Sequence, residues 1–147
     1  MMMAETKFDE GDGLPAVEKL ITQEQIERYA VASGDFNPIH VDHEFAASSQ
    51  FGRTIAHGML VTASISEMMT LAFGETWPQS GRLKIRFKAP VYPGDKISTF
   101  GEVKSVRDRD GARTVACSIG VRTDKGEVAI AGDASVVVPL SNDTAGR

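Results

Sequence analysis

Cysteine and long apolar runs are scarce in this chain of 147 residues. Its single cysteine, Cys117, cannot form an intramolecular disulfide, and no basic segment followed by an apolar one marks a secretion signal. No apolar run approaches the roughly 20 residues that a membrane-spanning helix needs. We therefore expect a cytoplasmic protein that does not insert into membranes.

An excess of positive charge is also missing. The formal net charge is -4, which disfavours nonspecific binding to nucleic acid. Internal repeats are absent, and so are the phosphate-loop, dinucleotide-binding and nucleophile-elbow motifs. The length and the ordinary balance of charged and hydrophobic residues predict one globular domain. We place it at residues 14–140, between a mobile arm at 1–13 and a polar, mobile tail at 141–147.

Helical patterns dominate the first half of this domain. Thr22 and Gln25 have the spacing of a capping box and predict a short helix that Gly34 ends. Asp42 can cap a second short helix, for which Gly52 supplies the end.

The longest helix is predicted over residues 58–73, with Gly74 as its C-terminal cap. Glu67 is its only charged side chain, and its apolar residues point in nearly every direction around the axis. Such a helix must be surrounded by protein.

Strand patterns dominate the second half. They cover residues 83–87, 96–107, 112–123 and 127–138, and residues 17–21 offer a fifth strand. Turn signals at 110–111 and 124–126 join the last three as hairpins. Because these strands are longer than the helix, the sheet must curl around it, and glycines inside the strands permit bulges or bends. The predicted class is α+β: a single hot-dog domain, in which a curved antiparallel sheet wraps a long buried helix.

Asp35 and His40 are the first candidates for chemistry. They flank Pro38, which excludes a continuous helix and favours a rigid turn that could aim both side chains at one point. A carboxylate and an imidazole that share a water molecule supply the base and the acid of proton-transfer catalysis. The alternative interpretation is that Asp35 caps a turn and that His40 is a satisfied, partly buried histidine.

Gly58 is the second candidate, because it places an unpaired backbone N–H at the positive end of the long helix. Such a donor suits a developing oxyanion. The alternative is that Gly58 only allows close packing. Thr62, Ser66 and Thr70 follow at four-residue spacing, as a polar stripe that either lines a substrate slot or bonds back to helix carbonyls. We favour back-bonding for Thr62 and Thr70.

A metal site must also be considered, since all three histidines, His40, His43 and His57, lie near Asp35 and Asp42. Their spacing is not that of a standard metal motif. His43, at the start of a short helix, is more simply a solvated polar residue. We therefore predict no metal.

One predicted strand carries a continuous basic face opposite apolar residues. This face either docks a nucleotide phosphate or is simply solvated. It is formed by Arg82, Lys84, Arg86 and Lys88.

Three segments together strongly resemble the MaoC-like (R)-specific enoyl-CoA hydratases: residues 32–40 (ASGDFNPIH), 51–53 (FGR) and 55–60 (IAHGML). The resemblance continues through residues 83–95 and covers nearly all of the chain after about residue 15. One departure is Thr54, where this family commonly has proline, and it affects loop rigidity rather than chemistry.

The resemblance implies a hot-dog homodimer that reversibly hydrates trans-2-enoyl thioesters to (R)-3-hydroxyacyl thioesters. It assigns the water to Asp35 and His40 and the thioester carbonyl to Gly58. Asn37, His57 and Ser66 are further candidates for oxyanion or substrate binding, Ser66 only by its distance from the His-Gly pair. Coenzyme A or acyl carrier protein would be the substrate's carrier, with no other cofactor. A hot-dog thioesterase and a non-catalytic acyl-thioester-binding protein are the alternatives.

Overall fold

The computed structural model describes residues 8–140 as five strands and five helices in the predicted α+β order. The elements along the chain are β1 (Glu18–Leu20), α1 (Gln23–Ser33), α2 (Pro38–Val41), α3 (His43–Ala47), α4 (Gly58–Phe73), α5 (Thr76–Ser80), β2 (Arg82–Phe87), β3 (Lys96–Arg109), β4 (Ala112–Thr123) and β5 (Val128–Pro139). No helix in this part of the chain has both the length and the apolar character to cross a membrane.

All five strands join one antiparallel sheet in the order β1-β3-β4-β5-β2. The predicted hairpins are confirmed, and the first turns through Asp110 and Gly111, with φ values of 53° and 77°. On β4 the apolar residues are buried, as their alternation predicts: Val115, Cys117, Ile119 and Val121. The sheet therefore has one face committed to the core.

The strand glycines serve close packing rather than the predicted bulges. Register shifts fall between Val103 and Ser105 and between Val121 and Arg122 instead. A Cβ at Gly132 would overlap the Lys84 carbonyl oxygen on the neighbouring strand. Gly132 is thus required by the approach of β2 to β5.

Helix α4 packs on the buried face of the sheet, but the prediction that protein surrounds it is wrong for this chain alone. One side joins the core through Val61, Ile65, Met68, Met69, Ala72 and Phe73. The opposite side is open: Met59 is 57% exposed and Leu71 is 62% exposed. Because apolar residues occur on every side of the helix, the sequence could not predict which side stays exposed.

The helix signals at α1 are confirmed, because Thr22 and Gln25 form both bonds of the capping box and Gly34 closes the helix. Pro38, predicted in a turn, instead opens the single helical turn α2. The short helix α5 was not predicted, and its Trp77 is buried.

The N-terminal arm predicted at 1–13 is wrong in its second half. Gly11 N–H donates to the Val103 carbonyl at 2.9 Å, and Val103 N–H donates to the Asp12 carbonyl at 2.9 Å. The Phe8 ring also packs on Phe73, with centroids 4.6 Å apart. Residues 8–13 therefore extend the edge of the sheet, whereas 1–7 and the predicted tail at 141–147 lie outside the described residues.

Candidate active site

The segment after α1 folds as a tight turn that leads into α2. Gly34 ends α1 at a φ of 80°, which glycine adopts without steric cost. Asn37 N–H then donates to Asp35 Oδ1 at 3.1 Å, and Ile39 N–H donates to Asn37 Oδ1 at 3.0 Å. Pro38 takes the first helical position, where no N–H is needed. The Asp35 carboxylate is thus held by a local bond while its side chain remains exposed.

His40 is fixed by a backbone carbonyl. Its side chain is nearly buried, and its Nδ1 lies 2.8 Å from the Ile55 carbonyl oxygen. Because a carbonyl oxygen only accepts, Nδ1 of the neutral ring carries the proton and Nε2 keeps its lone pair. His40 is therefore poised to act as a base through Nε2.

His57 brings a second imidazole to the same place. Its Nε2 lies 3.0 Å from the Asp35 carbonyl oxygen, across 22 residues of chain. Its ring stacks on His40 at a centroid distance of 3.8 Å and an interplanar angle of 23°. A carboxylate oxygen of Asp35 and one ring nitrogen each of His40 and His57 all lie within 4.8 Å of one another. The structure thus brings Asp35 and His40 together and adds His57 beside them.

The same three side chains test whether a metal ion would fit. His43, one of the histidines that raised this possibility, is exposed and is not in the cluster. The rings are stacked with centroids 3.8 Å apart and only 23° between their planes, so the in-plane lone pairs of the two rings lie in separate, nearly parallel planes. An ion about 2.0 Å from one ring nitrogen therefore cannot lie in the plane of the other. This arrangement does not suit a shared metal.

Gly58 begins α4 beside these side chains. The first bonds of the helix run from the Leu60 and Val61 N–H groups to the His57 carbonyl, at 3.0 and 3.3 Å. The N–H groups of Gly58 and Met59 have no acceptor within residues 8–140. Two donors at the positive end of a helix therefore stay available to an oxyanion.

A single cavity of about 520 Å³ connects these groups. It is lined by Asp35, His40, His57, Gly58 and Met59, together with mostly apolar residues. The larger apolar and aromatic members are Tyr29, Phe51, Ile55, Val61, Phe87 and Ile130. A base, a carboxylate and free N–H donors thus share a cavity with an apolar lining, an arrangement suited to proton transfer beside an acyl group.

Residues 9–125 match the family model described as the MaoC like domain. This chain belongs to the MaoC-like domain family. The resemblance inferred from the sequence motifs is confirmed.

Individual relatives cover most of the chain. The (R)-specific enoyl-CoA hydratase of Aeromonas caviae is 34% identical over 119 residues, which span 78% of this chain and 84% of that protein. The 3-hydroxybutyryl-CoA dehydratase of Methylorubrum extorquens is 35% identical over 133 residues, or 86% of this chain and 79% of the relative. The solved (R)-hydratase from A. caviae matches with a TM-score of 0.77 at 28% identity, covering 90% of this chain and 98% of that one. The predicted hot-dog fold is confirmed.

Two further candidates do not line the cavity of this MaoC-like domain. The Asn37 side chain caps α2 through Ile39 N–H. Ser66 Oγ accepts from the indole Nε1 of Trp77 at 2.8 Å. Both side chains have structural partners in this chain.

The polar stripe on α4 mostly bonds to its own helix. Thr62 donates to the Gly58 carbonyl and Thr70 donates to the Ser66 carbonyl, each at 2.8 Å. The favoured interpretation of these two hydroxyls is confirmed.

The four basic residues predicted on one strand face separate into groups, because Arg82, Lys84 and Arg86 lie on the edge strand β2 and Lys88 follows its end. All four side chains are exposed, but only Lys88 lines the cavity. Arg82 and Lys84 lie instead in a second surface depression, beside Lys104 and Asp133. Lys88 is therefore the residue of this set that is placed to meet a bound substrate.

Thr54, the departure from the family pattern, is buried and participates in the support of His40. Its hydroxyl donates to Gln23 Oε1 at 2.8 Å, and Gln23 Nε2 donates to the His40 carbonyl at 2.9 Å. A side-chain hydrogen bond thus steadies this loop at the position where the family commonly has proline.

Sequence reasoning missed several participants. The Ile55 carbonyl orients His40, and the Met59 N–H is a second free donor. Neither has a sequence signal, since any residue could provide that backbone group. Tyr29, whose ring centroid lies 4.8 Å from that of His57, was not among the predicted site residues.

Proposed function

We propose that this protein is a hydro-lyase that reversibly adds water to trans-2-enoyl thioesters and forms (R)-3-hydroxyacyl thioesters. The observation that carries the proposal is that Asp35, His40, Gly58 and Met59 line one cavity, and that the N–H groups of the last two have no acceptor within residues 8–140. Family membership and the names of the relatives support the same reaction.

In this mechanism His40 Nε2 removes a proton from water while the water oxygen attacks the β-carbon. The electrons of the carbon–carbon double bond move towards the thioester oxygen, and Gly58 N–H stabilises the resulting enolate. Asp35 orients the water and helps to pass the proton now held by His40 to the α-carbon, which returns His40 to its neutral state and completes the addition of one water molecule. The bond from His40 Nδ1 to Ile55 supports His40 as the first base.

The apolar part of the cavity would take the acyl chain. Lys88 is exposed where it lines the cavity, so it is the basic residue we assign to a phosphate of coenzyme A or of the acyl carrier protein's prosthetic group. Replacement of Lys88 with Gln should raise KM for crotonyl-CoA more than for a truncated thioester that lacks phosphates. Equal changes in both KM values would contradict this role.

The reaction needs no metal and no redox cofactor, because Asp35, His40 and backbone donors provide every proton transfer and the charge stabilisation. We predict that dialysis against a chelator leaves hydration unchanged. Loss of activity that returns with added metal would contradict this.

We also propose that the protein works as a homodimer. Strand β2 ends the sheet, and its Leu83 and Phe87 are 36% and 57% exposed. The open side of α4 adds Met59 and Leu71. A second copy would cover these apolar residues, and sedimentation of wild type against Leu83→Lys tests this. The cytoplasmic location stays a prediction, which cell fractionation would test.

The activity is tested by Asp35→Asn, with Asp42→Asn as a matched control. Each carboxylate is on an exposed side chain, and its Oδ1 accepts backbone N–H groups at 3.1 Å. Each substitution keeps an acceptor oxygen and removes one charge, but only Asp35 lines the cavity. We expect Asp35→Asn to lower kcat for crotonyl-CoA hydration by about 10²- to 10⁴-fold. Asp42→Asn should keep wild-type turnover.

Near-normal hydration by Asp35→Asn, or by His40→Ala, would contradict the assignment. Release of free thiol from saturated acyl-CoA without hydration would identify a thioesterase. Tight acyl-CoA binding without turnover of enoyl thioesters of any length would identify a binding protein.

A further inference from the structure

His57 occupies a position where its residue type is unfavourable for the helix. It is the N-cap of α4 and makes no side-chain capping bond, whereas Ser, Thr, Asp or Asn would stabilise the helix at this position. Its side chain turns instead to the loop that carries Asp35. The residue at this N-cap is therefore not the one that would best stabilise α4, and at an active site such a choice is expected to serve function.

The hydrogen bond to Asp35 defines the proton on His57. The Asp35 carbonyl oxygen accepts, so Nε2 at 3.0 Å carries the hydrogen. The other nitrogen, Nδ1, is buried and has no hydrogen-bond partner within the described residues. A second proton placed there would have no acceptor, and the ring is only 2% exposed to water.

The groups that face His57 favour the neutral ring on balance. Burial lowers the pKa of His57, the bond to the Asp35 carbonyl raises it, His40 lowers it, and the Asp35 carboxylate raises it. The net pKa shift is downward. The remaining neighbour, Tyr29, packs against the ring in an edge-on contact. These contacts thus favour a neutral His57 ring, and its hydrogen bond to the Asp35 carbonyl places the single proton on Nε2.

His57 touches both candidate catalytic residues. Its Nε2 holds the backbone of Asp35, and its ring stacks on His40 at 3.8 Å. The base His40 gains a positive charge when it takes a proton from water. A neutral His57 ring does not repel that charge, whereas a charged His57 would.

We infer that His57 is a positioning residue, a permanently neutral imidazole protonated at Nε2 that clamps the Asp35 loop and holds the ring of His40 in its catalytic orientation. The inference rests on the proposed hydration. Small misplacements of catalytic groups can cost about 10²-fold in rate, so the clamp should act on kcat rather than on KM.

The protonation state can be measured without activity, because the chain has only 3 histidines. Long-range proton–nitrogen NMR of the full chain labelled with ¹⁵N-histidine would follow all of them from about pH 5 to about pH 8. His57 should stay neutral with its proton on Nε2, and His43→Gln assigns the signal of the exposed His43. Titration of His57 in this range, or a proton on its Nδ1, would overturn the inference.

Two substitutions separate the two contacts. His57→Phe keeps a ring against His40 and removes both the donor to Asp35 and the unpartnered nitrogen. His57→Gln offers an N–H donor and removes the ring. We expect each variant to lower kcat by about 10- to 100-fold with KM within about threefold. His57→Phe should change Tm little, because the lost bond to Asp35 and the removal of a buried unpaired acceptor act in opposite directions.

Wild-type kcat in both variants, or an effect confined to KM, would overturn the positioning role. A kcat that falls only in proportion to lost folded protein would do the same. If the wild type hydrates no enoyl thioester, the proposed reaction fails, whereas the NMR result still decides the state of His57.

Discussion

Replacement of Gly58 with Ala tests the oxyanion site through one steric contact. A Cβ at Gly58 would lie 2.5 Å from Phe87 Cε1 and 2.9 Å from both Cδ1 and Cζ. Real Cβ atoms essentially never come that close, so the ring must move. Phe87 is 57% exposed in the single chain, so within its own protomer the ring has open space into which it can turn. The chain should still fold.

The expected change in stability is small. Alanine at a compatible backbone position stabilises by about 0.4–1 kcal/mol through the unfolded state, and loss of Phe87 packing acts in the opposite direction. We expect the free energy of unfolding to stay within about 1 kcal/mol of wild type. Activity should change more, because Gly58 and Phe87 line the same cavity.

The catalytic effect follows from the two free donors. Complete loss of one oxyanion donor costs about 10²- to 10³-fold in kcat. In Gly58→Ala the N–H remains but the new methyl group and the displaced ring hold the carbonyl away from it, and Met59 N–H is still available. We therefore expect a loss of about 10- to 100-fold, or about 1.4–2.7 kcal/mol. The assay is the decrease in ultraviolet absorbance as crotonyl-CoA is hydrated.

Phe87→Ala provides the control, since it removes the ring that the new methyl group would strike. In that background Gly58→Ala should cost less than about threefold, and the difference between backgrounds measures the coupling of the two residues. If Gly58→Ala lowers kcat equally with and without the Phe87 ring, the effect is not caused by displacement of that ring. Wild-type kcat in Gly58→Ala would refute the need for close approach of the carbonyl to this N–H.

Three further outcomes are expected from other parts of the chain. Ser66→Ala should lower the free energy of unfolding by about 1–3 kcal/mol, because it leaves the buried Trp77 N–H unpaired, and it should keep kcat; a selective loss of kcat at unchanged stability would instead place Ser66 in the active site. Thr54→Val should lower kcat with little change in KM, because it frees the Gln23 amide that holds the His40 carbonyl; an unchanged kcat contradicts this support. Burial raises the pKa of Cys117 to about 11, so the thiol of the unfolded chain loses its proton first as the pH rises. The free energy of unfolding measured with urea should therefore fall by about 1–2 kcal/mol between about pH 7 and about pH 10. Cys117→Ala should lose less over the same range, and equal losses would contradict the shift.

The parts of the fold that sequence predicted are those fixed by local bonds. Thr22 and Gln25 bond within one helical turn, and the hairpin turn at Asp110 and Gly111 needs two residues in a left-handed conformation. The alternation along β4 likewise needs only one buried face. The open side of α4 could not be predicted in this way. Apolar residues occur on both sides of the helix, and only the tertiary fold decides which side the rest of the chain covers.

The site divides in the same way. The turn from Asp35 to His40 is local, and the motif that contains it predicted that both residues belong to one site. The stacking of His57 on His40 spans two segments that only the tertiary fold brings together. The sequence separated His57, a candidate for substrate binding, from His43, which is solvated as predicted, but it gave no signal for the contact between His57 and His40.

The position of each proton is the feature most remote from the sequence. Nδ1 of His40 and Nε2 of His57 both face backbone carbonyls, those of Ile55 and Asp35. Many enzymes orient a catalytic histidine with a carboxylate, which also adds negative charge. A backbone carbonyl fixes the tautomer as firmly as a carboxylate does, but it adds no charge. Asp35 is the only carboxylate among the described residues that line this cavity. In the proposed reaction, proton delivery to the α-carbon therefore falls to Asp35 and His40, which is why loss of either should slow the reaction in both directions.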